Sequence, residues 1–66
     1  MKLHVNGKPY EHTAGRTIGT LLPEIGAFPD KVAVLLNDNV VKRAEWQNKE
    51  LKDGDRIEIL MLAAGG

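Results

Sequence analysis

Apolar and polar residues first alternate near the start of the chain, where Leu3 and Val5 are interleaved with Lys2, His4 and Asn6. This is the period of a strand with one face buried. Asn6-Gly7 follows at once, and that pair favours a two-residue hairpin because a type I′ turn needs positive φ at both central positions. The returning strand is predicted over residues 8–13, with Pro9 placing it at a sheet edge because proline has no backbone donor to give a ladder.

The pattern then changes period. Ala14-Gly15-Arg16 reads as a loop and Thr17 as a helix cap. Ile18, Leu21, Leu22 and Ile25 fall at i, i+3, i+4 and i+7, which gathers four apolar side chains on one helical face. Pro23 inside that helix removes a donor and crowds the preceding turn, so a short helix, kinked or loosened in its second turn, is expected to end at Gly26.

After a connector, Ala27-Phe28-Pro29-Asp30, residues 31–37 hold the longest apolar run, Val32-Ala33-Val34-Leu35-Leu36. An unbroken run predicts a strand covered on both faces. Asn37-Asp38-Asn39 is a tight turn and residues 40–42 a short return strand, followed by an irregular stretch over 43–48 around Trp46. Leu51 plugs the core before the Asp53-Gly54-Asp55 turn. The last strand, residues 56–62, places Ile57, Ile59 and Met61 on one face and Glu58, Leu60 and Leu62 on the other. The predicted order is strand, strand, helix, strand, strand, strand. It gives an α+β fold, a sheet of about five strands with one helix across one face and the first and last strands at its centre.

Composition narrows the function classes. Sixty-six residues make one small domain, which buries only about 60% of its unfolded surface and leaves little room for a deep substrate cavity. Nine basic and nine acidic residues cancel, so no overall field draws the chain to nucleic acid or to an anionic membrane. Cysteine is absent, which removes disulfides, thiolate metal sites and a sulfur nucleophile. No apolar run approaches the ~20 residues of a membrane span, and a cytoplasmic location is expected.

Candidate chemistry within the domain is sparse. His4 and His12 are expected to face solvent from the first hairpin, and no spacing supplies the three or four converging ligands of a metal site. The carboxylates Asp38, Glu45, Glu50, Asp53, Asp55 and Glu58 lie mostly in turns, and no glycine-rich phosphate loop precedes a helix. Lys42, Arg43 and Trp46 are too few for a nucleic-acid patch, and Trp46 reads as an anchor on the rim of the core. Leu60 and Leu62 differ: left open by the helix, they form an apolar patch of the kind that marks a partner surface. Directly after them comes Ala63-Ala64-Gly65-Gly66, a thin stretch whose glycines contribute freedom and narrowness rather than packing.

Taken together, several stretches resemble one family: the early hairpin, the helix ending near Gly26, Val34-Leu35-Leu36-Asn37, Val41-Lys42-Arg43-Ala44-Glu45-Trp46, Leu51-Lys52-Asp53-Gly54-Asp55, and Gly65-Gly66. The chain resembles the ThiS sulfur carriers of thiamin biosynthesis, with a β-grasp, ubiquitin-like fold. It departs from many relatives at Lys42, where they have proline, and at Pro23.

The resemblance implies a β-grasp domain over residues 1–62 and a flexible diglycine tail over 63–66. It implies a carrier rather than an enzyme, with no cofactor of its own, since ATP and the sulfur donor are used by partners. A ubiquitin-activating-type, ThiF-like adenylyltransferase would activate the Gly66 carboxylate, and a persulfide donor would convert it to a thiocarboxylate. A ThiG-like thiazole synthase would take the sulfur. Gly65, Ala64 and Ala63 would thread the partner's channel, and Leu60, Leu62, Arg43 and Trp46 would form the docking surface. A MoaD-like carrier for molybdopterin or another sulfur-transfer pathway, a ubiquitin-like protein modifier and a plain interaction module are the alternatives.

Overall fold

The computed structural model describes residues 1–62. Five strands, β1 (Lys2–Val5), β2 (Lys8–Glu11), β3 (Val32–Leu36), β4 (Asn39–Val41) and β5 (Arg56–Met61), form one sheet in the order β2-β1-β5-β3-β4. The helix α1 (Ile18–Ile25) lies against one face, and short 3-10 turns occupy Pro29–Lys31 and Arg43–Glu45. β1 and β5 are parallel neighbours, whereas the other pairs are antiparallel. This is the five-stranded sheet with one helix across one face that the periodicity predicts, and β5 holds its centre.

Local chemistry explains the element ends. Asn6 (φ 52°) and Gly7 (φ 81°) make the first hairpin turn, and Asn37 (φ 49°) and Asp38 (φ 72°) make the second, all residue types that tolerate the left-handed region. Thr17 caps α1 reciprocally: its Oγ1 accepts from the Thr20 N–H at 3.2 Å, and Thr20 Oγ1 accepts from the Thr17 N–H at 3.1 Å. Two further N–H groups of the first turn, on Ile18 and Gly19, donate to the carbonyls of Lys49 and Trp46, so the 46–49 segment completes the cap. Gly26 (φ 79°) ends the helix. Pro23 does not interrupt it, and residues Ile18–Ile25 are α-helical throughout.

The core joins Leu3, Ile18, Leu21, Leu22, Val32, Val34, Leu36, Val41, Trp46, Leu51 and Ile57. Trp46 is buried, and its Nε1–H donates to the Val41 carbonyl at 2.8 Å.

Three further expectations need correction. β3 is not covered on both faces: Val32, Val34 and Leu36 are buried, but Ala33 and Leu35 only partly so, because no second layer among the described residues covers the side of the sheet away from α1. Met61 shares the parity of Ile57 and Ile59 yet is 76% exposed. It is the last residue of β5, beyond Ile57 in the core and Ile59 packed against it, and is not itself part of that cluster. His12 does not face solvent either; it is buried, and β2 ends at Glu11 just before it.

Candidate functional site

The end of β5 is held firmly on one side. Ala33 stands opposite Leu60 and Val32 opposite Met61, and the Leu62 N–H donates to the Lys31 carbonyl at 2.9 Å. The register also places Leu35 opposite both Glu58 and Val40. Cross-strand partners share a face, so Leu60, Ala33, Leu35 and Val40 form a continuous apolar row on the side away from α1, with Leu62 following on the same face. Leu60, Leu62 and Val40 are exposed. Arg56 and Glu58 border the row along β5, and His4, paired with Arg56, lies beyond them.

Sequence reasoning found Leu60 and Leu62 but not Ala33 and Val40. Val40 was accessible in principle, since Leu36 is buried and a two-residue turn separates it from the return strand. Its alignment with Leu60 depends on the order of β5, β3 and β4. The tail residues Ala63, Ala64, Gly65 and Gly66 lie outside the described residues, and the last described position, Leu62, leads directly into them.

Arg43 and Trp46 are not part of this row. They line a shallow groove of about 730 Å³ between α1 and the segment around the second 3-10 turn, with Gly19, Leu22, Pro23 and Pro29. Arg43 is exposed and reaches Asp30 at 4.0 Å. Trp46, 5% exposed, is committed to the core.

The densest polar cluster was not singled out in the sequence. Glu24 Oε2 accepts from Tyr10 Oη at 2.7 Å and lies 2.9 Å from His12 Nδ1. Glu24 Oε1 accepts from the Thr13 N–H, Thr13 Oγ1 and the Ala14 N–H. His12 Nε2 lies 3.2 Å from Thr20 Oγ1. One carboxylate thus ties β2 and the following loop to the helix. The bond from His12, then that from Tyr10, then those from Thr13 hold the Glu24 carboxyl at about 2, well below the usual 4.5 and against the opposing effect of burial. The same carboxylate raises the Tyr10 phenol, chiefly by accepting its hydrogen bond.

A depressed folded-state pKa stabilises the fold above the unfolded value, and the benefit is lost as pH falls from about 4.5 towards 2. Glu24→Gln is therefore expected to lower the melting temperature at pH 7. The gap from the parent should shrink across that acid window, as followed by circular dichroism. Parallel melting curves from pH 7 to pH 2 would contradict the assignment.

Among the described residues no group of three or more His, Asp or Glu side chains is arranged to hold a metal. The turn carboxylates are engaged locally: Asp53 accepts from the Lys2 N–H, Asp55 from the Lys52 N–H and Asn37, and Asp38 from Arg56. They do not converge in a cleft. What the described residues offer is the exposed apolar row on the side away from α1, which ends at Leu62 beside residues 63–66.

Against known proteins, a family model described as the ThiS family matches residues 3–66. The chain belongs to the ThiS family. A sulfur carrier protein ThiS of Thermus thermophilus is 37% identical over 62 residues, covering 94% of this chain and 95% of that one. A crystal structure of a ThiS thiamine biosynthesis protein from Geobacter metallireducens superposes with a TM-score of 0.84 at 35% identity, each chain covered in full. A thiazole synthase of Magnetococcus marinus is 41% identical over all 66 residues. The chain spans only 20% of the length of that thiazole synthase and of a second one it matches. The ThiS match accounts for the β-grasp sheet, and no helix described here is long and apolar enough to cross a membrane.

Proposed function

We propose that this ThiS-family chain is a sulfur carrier of thiamin biosynthesis, and that Gly66 is the carrying residue. The observation that supports this most strongly is the family match over residues 3–66, which runs through Gly65-Gly66. The domain itself acts as a handle rather than a catalyst.

A carboxylate is a poor electrophile because it is anionic. In the proposed cycle a ThiF-like adenylyltransferase joins the Gly66 carboxylate to AMP, and pyrophosphate leaves ATP. The terminal sulfur of a persulfide donor then attacks the acyl carbon, and the C–S bond forms as the bond to AMP breaks. A thiol cleaves the resulting S–S bond and leaves a thiocarboxylate on Gly66, whose sulfur passes to a ThiG-like thiazole synthase. Glycine suits the last two positions, since no Cβ obstructs either partner's approach to the acyl carbon. The apolar row of Leu60, Ala33, Leu35 and Val40, continued by Leu62, supplies the docking face. ATP-dependent activation places the work in the cytoplasm.

Intact-mass spectrometry tests this reading. Incubated with ATP, the adenylating enzyme and a sulfur donor, the protein is expected to gain the mass difference between one sulfur and one oxygen atom, localised to Gly66 by fragmentation. An unchanged mass, under conditions that convert an established carrier, would end the proposal.

A further inference from the structure

Over its last residues β5 keeps its strand geometry but loses one of its two neighbours. On the β3 side the ladder continues to Val32 opposite Met61, and beyond it to the bond between the Leu62 N–H and the Lys31 carbonyl. On the other side, pairing with β1 covers only His4 with Arg56 and Val5 with Ile57. There the His4 N–H donates to the Asp55 carbonyl at 3.0 Å and the Asn6 N–H to the Ile57 carbonyl at 2.9 Å. The Asn6-Gly7 turn then carries the chain away from β5. In place of the next β1 carbonyl, Asn6 Oδ1 accepts from the Ile59 N–H at 2.8 Å.

Backbone groups alternate in direction along a strand, so residues 55, 57 and 59 address this edge and Met61 follows them. The Ile59 carbonyl and the Met61 N–H and carbonyl have no hydrogen-bond partner there among the described residues. The flanking side chains are apolar and open on both faces of the sheet. Met61 lies on the α1 side, 76% exposed, and Leu60 and Leu62 on the other, 49% and 53% exposed. An edge with unpaired backbone groups and apolar side chains is a template for another strand.

We propose that thiazole synthase adds an extended segment to this open edge of β5. Its backbone would pair with the Ile59 carbonyl and with the Met61 N–H and carbonyl, and its side chains would cover Met61 on one face and Leu60 and Leu62 on the other. The proposal rests on the sulfur-carrier reading and deepens it. An unpaired N–H and carbonyl spaced along a strand are complemented by extended backbone, which sets the shape of the occupant. Its identity follows from position and from the relatives. The edge lies immediately before residues 63–66, so a strand added here would guide them into the acceptor, and the thiazole synthases that match this chain hold such a region within their own length.

Backbone amide exchange, read by NMR on the isotope-labelled protein alone and with thiazole synthase of the same organism, tests the pairing. The Met61 amide is expected to slow by at least about tenfold in the complex, with smaller changes at Ile59 and Leu62, whose amides are already bonded. A semisynthetic protein with an ester in place of the Leu60–Met61 amide should bind thiazole synthase about fivefold more weakly, the loss of one hydrogen bond. Its thermal unfolding should change little. A complex in which the Met61 amide exchanges as fast as in the free protein would overturn the pairing and leave the carrier reading standing. Failure to form any complex would overturn the pairing and this partner together, with the mass gain on Gly66 still reporting separately on the carrier. Slowing in the protein alone that grows with its concentration would identify the occupant as a second copy and likewise overturn it.

Discussion

Replacing Ile57 by alanine is expected to leave a protein that is largely unfolded in mild denaturant. Ile57 is fully buried at the centre of the sheet, opposite Val5 of β1 and Leu36 of β3. Truncating a buried isoleucine to alanine costs about 2–5 kcal/mol, through lost transfer energy and the cavity left behind. At roughly 0.05–0.15 kcal/mol per residue, a domain of this length has only about 3–10 kcal/mol in total. The core sits between one helix and one sheet, so the cavity has few neighbouring layers able to collapse into it. In urea the midpoint should fall by at least about 2 M, taking a slope of about 1 kcal/mol per M for a small protein. Ile57→Val should cost only about 0.5–1.5 kcal/mol, and Met61→Ala, on the exposed end of the same strand, should stay within about 0.5 kcal/mol of the parent. A midpoint for Ile57→Ala equal to that of Met61→Ala would refute this view of the core.

Deleting Gly65 and Gly66 is expected to have the opposite profile, complete loss of sulfur transfer with little change in stability. The buried core runs from Leu3 to Ile57, so removal of the two glycines takes nothing from it. The acyl carbon proposed to carry sulfur would be gone, and a shortened chain ending at Ala64 would present its carboxylate two residues, up to about 7 Å, short of its former reach. Sulfur incorporation in a reconstituted reaction and thermal unfolding by circular dichroism measure the two effects separately. Retained transfer would show that Gly66 is not the carrying residue; a collapsed melting temperature would show that the tail is part of the fold.

Much of the architecture was legible because its determinants are close together in the chain. The helix follows from four apolar residues at helical spacing, a threonine before them and a glycine after, and the structure places Thr17 and Gly26 at its two caps. The hairpin follows from Asn6-Gly7, and both residues adopt the positive φ that such a turn requires. Trp46 was also readable as a core anchor, although its hydrogen bond to the Val41 carbonyl was not.

His12 shows why the remainder was hidden. Its partners Glu24 and Thr20 stand one turn apart on α1, and they meet the imidazole only when the helix lies across β2. Before packing, nothing near His12 in the chain marks it for burial. Met61 errs in the other direction. Its alternation with Ile57 and Ile59 was read correctly, but alternation gives only the face of a sheet, not how far the core extends along it.

For this protein, then, the order of residues by itself determined the succession of strands, helix and turns and the two helix caps, with strand ends placed to within one or two residues, and it carried the diglycine stretch and the family likeness. Those features depend on propensity, capping and periodicity, which act over a few residues. Tertiary structure alone decided which apolar side chains form one surface and where a strand is left with an open edge. β1 and β5 come from opposite ends of the chain, and their pairing stops after Val5 and Ile57 because Asn6-Gly7 turns away. The backbone left unpaired beyond that point is a consequence of non-local pairing, which no short stretch of sequence contains.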